Sequence, residues 1–216
     1  MLRFYVMNRL FVSLLTLGVV AASTLAMAET VGFLFPTITA QDLNGRTATF
    51  PEQMPGERTV VLIAFHRRQQ QELDVWIDKL GLNKKDAPAW IEMPVVPNYG
   101  SIWRAFVNNG MRSGIITTEA RARVFTVYGS RDEFRSKLNL PSDDQVYVLV
   151  VGEDGAVVAR ADGQYSDAKA GSIRSFSART SSKVSNSRSY RTRSDSNLFF
   201  SSSHILLCIE TAESPS

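Results

Sequence analysis

One histidine and two arginines stand in a row, His66, Arg67 and Arg68, and three glutamines, Gln69, Gln70 and Gln71, follow directly. Imidazole titrates near neutrality and can act as a base. Guanidinium groups pair with carboxylates, phosphates and sulfates, and each carboxamide brings an acceptor and two donors. The chemistry available is recognition of an anion or of an acidic partner. Arg112, with Arg121 and Arg123, could converge with Arg67 and Arg68 on one anion; alternatively these arginines are scattered and solvated. The candidate binding residues are His66, Arg67, Arg68, Gln69, Gln71 and Arg112. No catalytic residue is assigned, because no nucleophile motif accompanies His66. No metal is expected, since no His, Cys or carboxylate lies at ligand spacing from it. No cofactor is expected either: Gly110 and Gly114 lack the strand leading in and the Gly-Lys-Ser/Thr of a phosphate loop.

Two elements must position this cluster. Residues 60–65 (VVLIAF) are apolar and rich in β-branched side chains, which predicts a strand buried on both faces. Leu73, Trp76, Ile77 and Leu80 recur at helical spacing, which predicts an amphipathic helix over 69–80. Trp76 and, on a second stripe, Trp103 are expected in the core. A strand, a short polar turn and a helix make a βα junction, a frequent place for sites in open α/β sheets. No Ser, Thr, Asp or Asn is placed to cap the helix, and two cations sit at the positive end of its dipole. A bound anion or acidic partner would resolve both features. The alternative is that the arginines point into water and the glutamines cap weakly.

The rest of the chain supplies a frame. Residues 1–28 have a basic start (Arg3, Arg9), an apolar run over 10–22 and the small-x-small sequence Ala26-Met27-Ala28, as in a cleavable secretory signal. The run is shorter than the roughly 20 residues of a spanning helix. A periplasmic or secreted product is expected, with an uncleaved inner-membrane anchor as the alternative. The net charge of +3 comes from the ends of the chain: residues 29–170 hold 16 basic and 18 acidic residues. No basic stripe with interleaved aromatics suggests nucleic acid. The single cysteine is Cys208, so the expected domain, residues 29–179, has neither thiol nor disulfide.

Within that domain, Asn44-Gly45 predicts a hairpin turn in the lead-in over 35–51. Residues 92–97, with two prolines, predict a short strand near an edge or an end. A helix over 101–107 is expected to stop near Asn108-Asn109-Gly110, with 111–115 as a connection. A strand over 123–128, a helix over 132–138 and a loop over 141–145 follow. A hairpin through Asp154-Gly155 joins strands over 146–151 and 156–161, and Ser166 starts a last helix. The order β-α-β-α-β-α-β-β-α predicts an α/β fold: a three-layer α/β/α sandwich with a central mixed sheet, resembling the thioredoxin-like type. From 180 to 216 the periods lapse, and 15 serines fill the 46 positions after residue 170. That tail reads as disordered or as an out-of-frame translation.

Several stretches together resemble a known family: the Ala40-x-Asp42-Leu43-Asn44-Gly45-Arg46 lead-in, residues 65–76 (FHRRQQQELDVW), residues 111–115 (MRSGI) and residues 146–163. Over roughly residues 30–178 the chain is similar to bacterial exported relatives of the mitochondrial ATP-synthase assembly factor, which chaperones a membrane subunit of the proton channel. The resemblance implies a thioredoxin-like domain without redox cysteines that assists assembly of another protein. Arg67 to Gln71 stand where thioredoxin-like redox proteins keep Cys-x-x-Cys, and Gln145 stands where they keep a cis-proline. The implied partner is a protein, not nucleic acid, with membrane contact only through an uncleaved signal. The alternative is an enzyme derived from a peroxiredoxin or thiol oxidoreductase and acting without cysteine.

Overall fold

A computed structural model describes residues 32–178. The expected signal segment and the tail from residue 180 lie outside the described residues. The elements in chain order are β1 (Phe33–Leu34), β2 (Ile38–Asp42), β3 (Thr47–Phe50), β4 (Arg58–Ala64), α1 (Gln70–Leu80), β5 (Ala89–Val96), α2 (Ser101–Gly114), α3 (Thr118–Arg121), β6 (Phe125–Tyr128), α4 (Arg131–Lys137), β7 (Tyr147–Gly152), β8 (Ala156–Asp162) and α5 (Asp167–Ser177). A 3-10 turn, Arg67–Gln69, leads into α1.

The strands form one sheet in the order β1-β8-β7-β4-β5-β6-β2-β3. β4 runs parallel to β5 and antiparallel to β7, and β7 pairs antiparallel with β8. A βαβ unit (β4-α1-β5) followed, after an insertion, by an antiparallel hairpin and α5 is the thioredoxin-like arrangement, with the mixed sheet at its centre. Alternation along β4 builds two cores. Val60, Leu62 and Ala64 meet Leu73, Trp76 and Ile77 of α1, Val107 and Met111 of α2, and Ala170 and Ile173 of α5. Val61, Ile63 and Phe65 pack on the opposite face with Phe50, Phe125, and Phe134 of α4. Helices on both faces of one sheet give the three layers.

Two expectations change. β5 is neither short nor at an edge; it is eight residues long, buried, and lies between β4 and β6. Pro94 is tolerated there because it falls where pairing with β4 ends (Ala64↔Pro94) and pairing with β6 begins (Val95↔Val127). α2 runs straight through Asn108-Asn109-Gly110, because Val107 and the buried Met111 continue its apolar stripe one turn further. The expected lead-in hairpin forms as β2 and β3, but β2 pairs with β6 at the far side of the sheet. The Asp154-Gly155 turn is as expected, with Gly155 at φ +79°. Ser166 caps α5 by accepting a hydrogen bond from the Lys169 N–H.

Candidate functional site

The C-terminal ends of β4, β5 and β6 and the start of antiparallel β7 lie at one end of the sheet. The 66–71 junction and the 141–145 loop therefore meet there. His66 leaves β4 extended (φ −133°, ψ 146°), and the chain then turns sharply through Arg67–Gln69 into α1. Gln69 is only 3% exposed. Its Oε1 accepts from the N–H of Phe65 (2.7 Å) and of His66 (3.1 Å), while its Nε2 donates to the Asp143 carbonyl (2.6 Å). As expected, no side chain caps the first N–H groups of α1; Gln69 instead reaches back across the turn to the N–H groups that precede it, as the amide member of a capping box does. Its carboxamide is turned into the protein, the oxygen accepting twice and the nitrogen donating once.

The same loop takes up the flanking charges. Arg68 donates to Asp144 Oδ1 at 2.8 Å, and His66 Nε2 lies 3.3 Å from Asp143 Oδ2. Burial, then Arg131 and Arg68, depress the His66 pKa, and Asp143 only partly restores it. The imidazole is therefore neutral near pH 7. Arg67 is half-buried and Gln71 exposed. Arg112 is not part of this cluster: it donates to the Leu43 carbonyl, tying α2 to the β2–β3 turn. Arg121 donates to the carbonyls of Ile115 and Arg112, and Arg123 lies over the Trp90 ring. The arginine convergence does not form, because each of these side chains has a nearer acceptor or ring.

Three features were missed by reading the sequence. His66 has carboxylate neighbours after all, Asp143 and Asp144, brought in from a loop 77 residues away. Behind the junction, fully buried Glu92 of β5 faces Gln70 and Asp74 of α1; neither carboxyl oxygen makes a hydrogen bond of good geometry, and the Gln70 carboxamide eases the burial only in part. Burial, then Asp74, push its pKa up to about 8. The available signal was a lone charge in the apolar run Trp90-Ile91-Glu92-Met93. The third feature is an exposed apolar face around the start of α2: Tyr99 is 64%, Ile102 87% and Phe106 52% exposed. Trp103, expected in the core like the fully buried Trp76, is instead half-buried. It stacks on Phe106 and meets Tyr99 edge-on, while its indole N–H donates to the Pro97 carbonyl.

No protein-family model and no curated protein matches the sequence. Solved structures similar to it include the thioredoxin domain of a thiol-disulfide oxidoreductase from Bacteroides vulgatus, at 16% identity over 68% of this chain and 97% of that one (TM-score 0.43). A member of the Sco family of cytochrome c oxidase assembly proteins matches at 15% identity over 72% and 97% (TM-score 0.49). The exposed lipoprotein thioredoxin of Streptococcus pneumoniae matches at 11% identity over 62% and 94% (TM-score 0.44). The strand order and connections described above, rather than these distant likenesses, carry the fold. Among the described residues, no helix is long and apolar enough to cross a membrane.

Proposed function

We propose that the chain is an exported, non-redox thioredoxin-like protein that binds another protein and assists its assembly. One observation carries this reading. Where a thiol pair would sit at the head of α1, Gln69 is locked to Phe65, His66 and Asp143 by three hydrogen bonds. Nucleophilic sulfur chemistry needs a thiolate at this point, and residues 29–179 contain no cysteine. The same end of the sheet carries the exposed Tyr99, Ile102 and Phe106, a combination suited to a partner with an apolar surface. Arg67, Arg68 and Gln71 form the polar margin of that end, with Arg68 able to exchange Asp144 for a partner's carboxylate. The family resemblance supports an assembly role, and the signal-like first 28 residues support export to the periplasm.

An enzyme of thiol-oxidoreductase descent is the competing class. Insulin reduction and peroxide consumption, measured on the full chain, are expected at the rate of a protein-free control. Turnover above that control, persisting in Cys208→Ala, would overturn the non-redox reading.

A further inference from the structure

We propose that His66, Asp143 and Asp144 form a binding site for a divalent transition-metal ion of the zinc class. The inference goes beyond the docking role and stands without it. One ligand atom from each of the three side chains lies within 4.8 Å of the others. The His66 Nε2–Asp143 Oδ2 separation is 3.3 Å. Two ligands bonded tetrahedrally to zinc at about 2.0–2.1 Å are themselves about 3.3 Å apart, so this pair already has the spacing of adjacent ligands. Asp144 completes the set within 4.8 Å, and its side chain, three-quarters exposed, can swing in on giving up its bonds to Arg68 and the Ser142 hydroxyl. One imidazole and two carboxylates are a borderline donor set. They suit zinc, manganese or iron(II) better than the all-oxygen preference of magnesium or the thiolate preference of copper(I).

The loop that carries the carboxylates is held from behind. Gln69 fixes the Asp143 carbonyl, and the Ser142 hydroxyl bonds Asp144 Oδ2 at 3.2 Å and accepts from the Asp144 N–H at 2.9 Å. Tyr147 Oη donates to the Ser142 carbonyl at 2.6 Å and accepts from its N–H at 3.1 Å. Supports of this kind orient ligands and tune affinity. The two carboxylates offset the ion's charge, and the His66 tautomer protonated at Nδ1 leaves the Nε2 lone pair for the ion in place of its contact with Asp143. The fourth position is open to water or to a donor from a partner. Arg68 is an internal competitor: its guanidinium pairs with Asp144 at 2.8 Å, and metal binding displaces it.

That competition gives the test its sign. Isothermal titration of chelator-treated full chain with Zn2+ alone is run with His204→Ala and Cys208→Ala in every arm, so that donors of the tail do not contribute. One ion per chain is expected, with binding at least tenfold weaker in His66→Gln and in Asp143→Asn and severalfold tighter in Arg68→Ala. Mg2+ is expected to give no heat. Far-ultraviolet dichroism on the same samples checks that each variant is folded, and the Arg68→Ala arm, which leaves all three ligands in place, keeps the test decisive if a ligand variant is not. Zn2+ binding that is unchanged by His66→Gln and Asp143→Asn, or absent from both the parent and Arg68→Ala, would overturn the assignment.

Discussion

Replacing Glu92 with glutamine is expected to make the protein more stable at alkaline pH and to flatten its stability–pH curve. Glu92 is fully buried on β5, facing α1 between Leu62 of β4 and Val124, and the Gln70 carboxamide offsets the burial of its carboxyl only weakly. Burial and the neighbouring Asp74 raise its pKa from 4.5 to about 8. The folded protein therefore holds this proton where the unfolded chain has already released it. Stability from the protonated carboxyl is complete below pH 4.5 and is lost progressively as the pH climbs to about 8. At about 1.4 kcal/mol for each unit of pH, the loss across that window is on the order of 4 kcal/mol. Urea unfolding should show the wild type several kcal/mol weaker at pH 8.5 than at pH 5. Glu92→Gln should match the wild type near pH 4.5 and exceed it by about 2–4 kcal/mol at pH 8.5. Burial also raises the pKa of Glu72, which bends the curve the same way, so the difference between the two proteins isolates Glu92. A wild-type curve level from pH 5 to 8.5, parallel to that of the variant, would refute the assignment.

Gln69→Ala should cost about 3 kcal/mol, as large a loss as truncating a core residue, although the side chain is polar. Three hydrogen bonds disappear at once and leave the Phe65 N–H, the His66 N–H and the Asp143 carbonyl to find partners, each exposed to a penalty of about 1–3 kcal/mol if it stays dry. Gln69→Glu separates the two halves of this role. The carboxylate can still accept from the two N–H groups, but it cannot donate to the Asp143 carbonyl. A glutamic acid proton restores that donor, so Gln69→Glu should recover stability as the pH falls toward 5. Hydrogen exchange is expected to quicken in residues 141–145 in both variants at neutral pH, because that loop is tied to the junction through Gln69. A loss below 1 kcal/mol in Gln69→Ala would show that the carboxamide is dispensable.

The parts of the fold that were legible in the sequence are those with a local period. Residues 60–65 declare a strand with two buried faces, and Leu73, Trp76 and Ile77 declare the helix that covers one of them. Asp154-Gly155 and Ser166 mark a turn and a cap through their own backbone chemistry. Misreadings arose where a local breaker was overruled from a distance. Asn108-Asn109-Gly110 would end an isolated helix, but burial of Val107 and Met111 carries α2 through them. Pro94 argues for an edge until the pairing register shows that its missing N–H falls between two ladders.

The site was legible only as an address. His66 to Gln71 were identified as the junction, yet their roles depend on residues 143 and 144, and no spacing rule links positions 77 apart. Gln69 was grouped with the binding residues, with weak capping by the glutamines as the alternative, because the carbonyl it donates to lies 74 positions further along the chain. Arg112 carried the right charge but is held by Leu43. The apolar face at Tyr99, Ile102 and Phe106 was invisible because its helical stripe reads like any core stripe; only the fold shows that nothing in residues 32–178 covers it.

Photo-cross-linking in intact cells tests the docking claim most directly. A photoreactive residue is placed in the full chain at Ile102 or Gln71, on the proposed docking end, or at Ser136, exposed on α4. Positions 102 and 71 should each yield one discrete adduct of the same mass, and position 136 none. Phe106→Asp should weaken the adduct formed from position 71 without shifting the melting temperature. Labelling from positions 102 and 71 no stronger than from position 136 would contradict a partner at this end of the sheet.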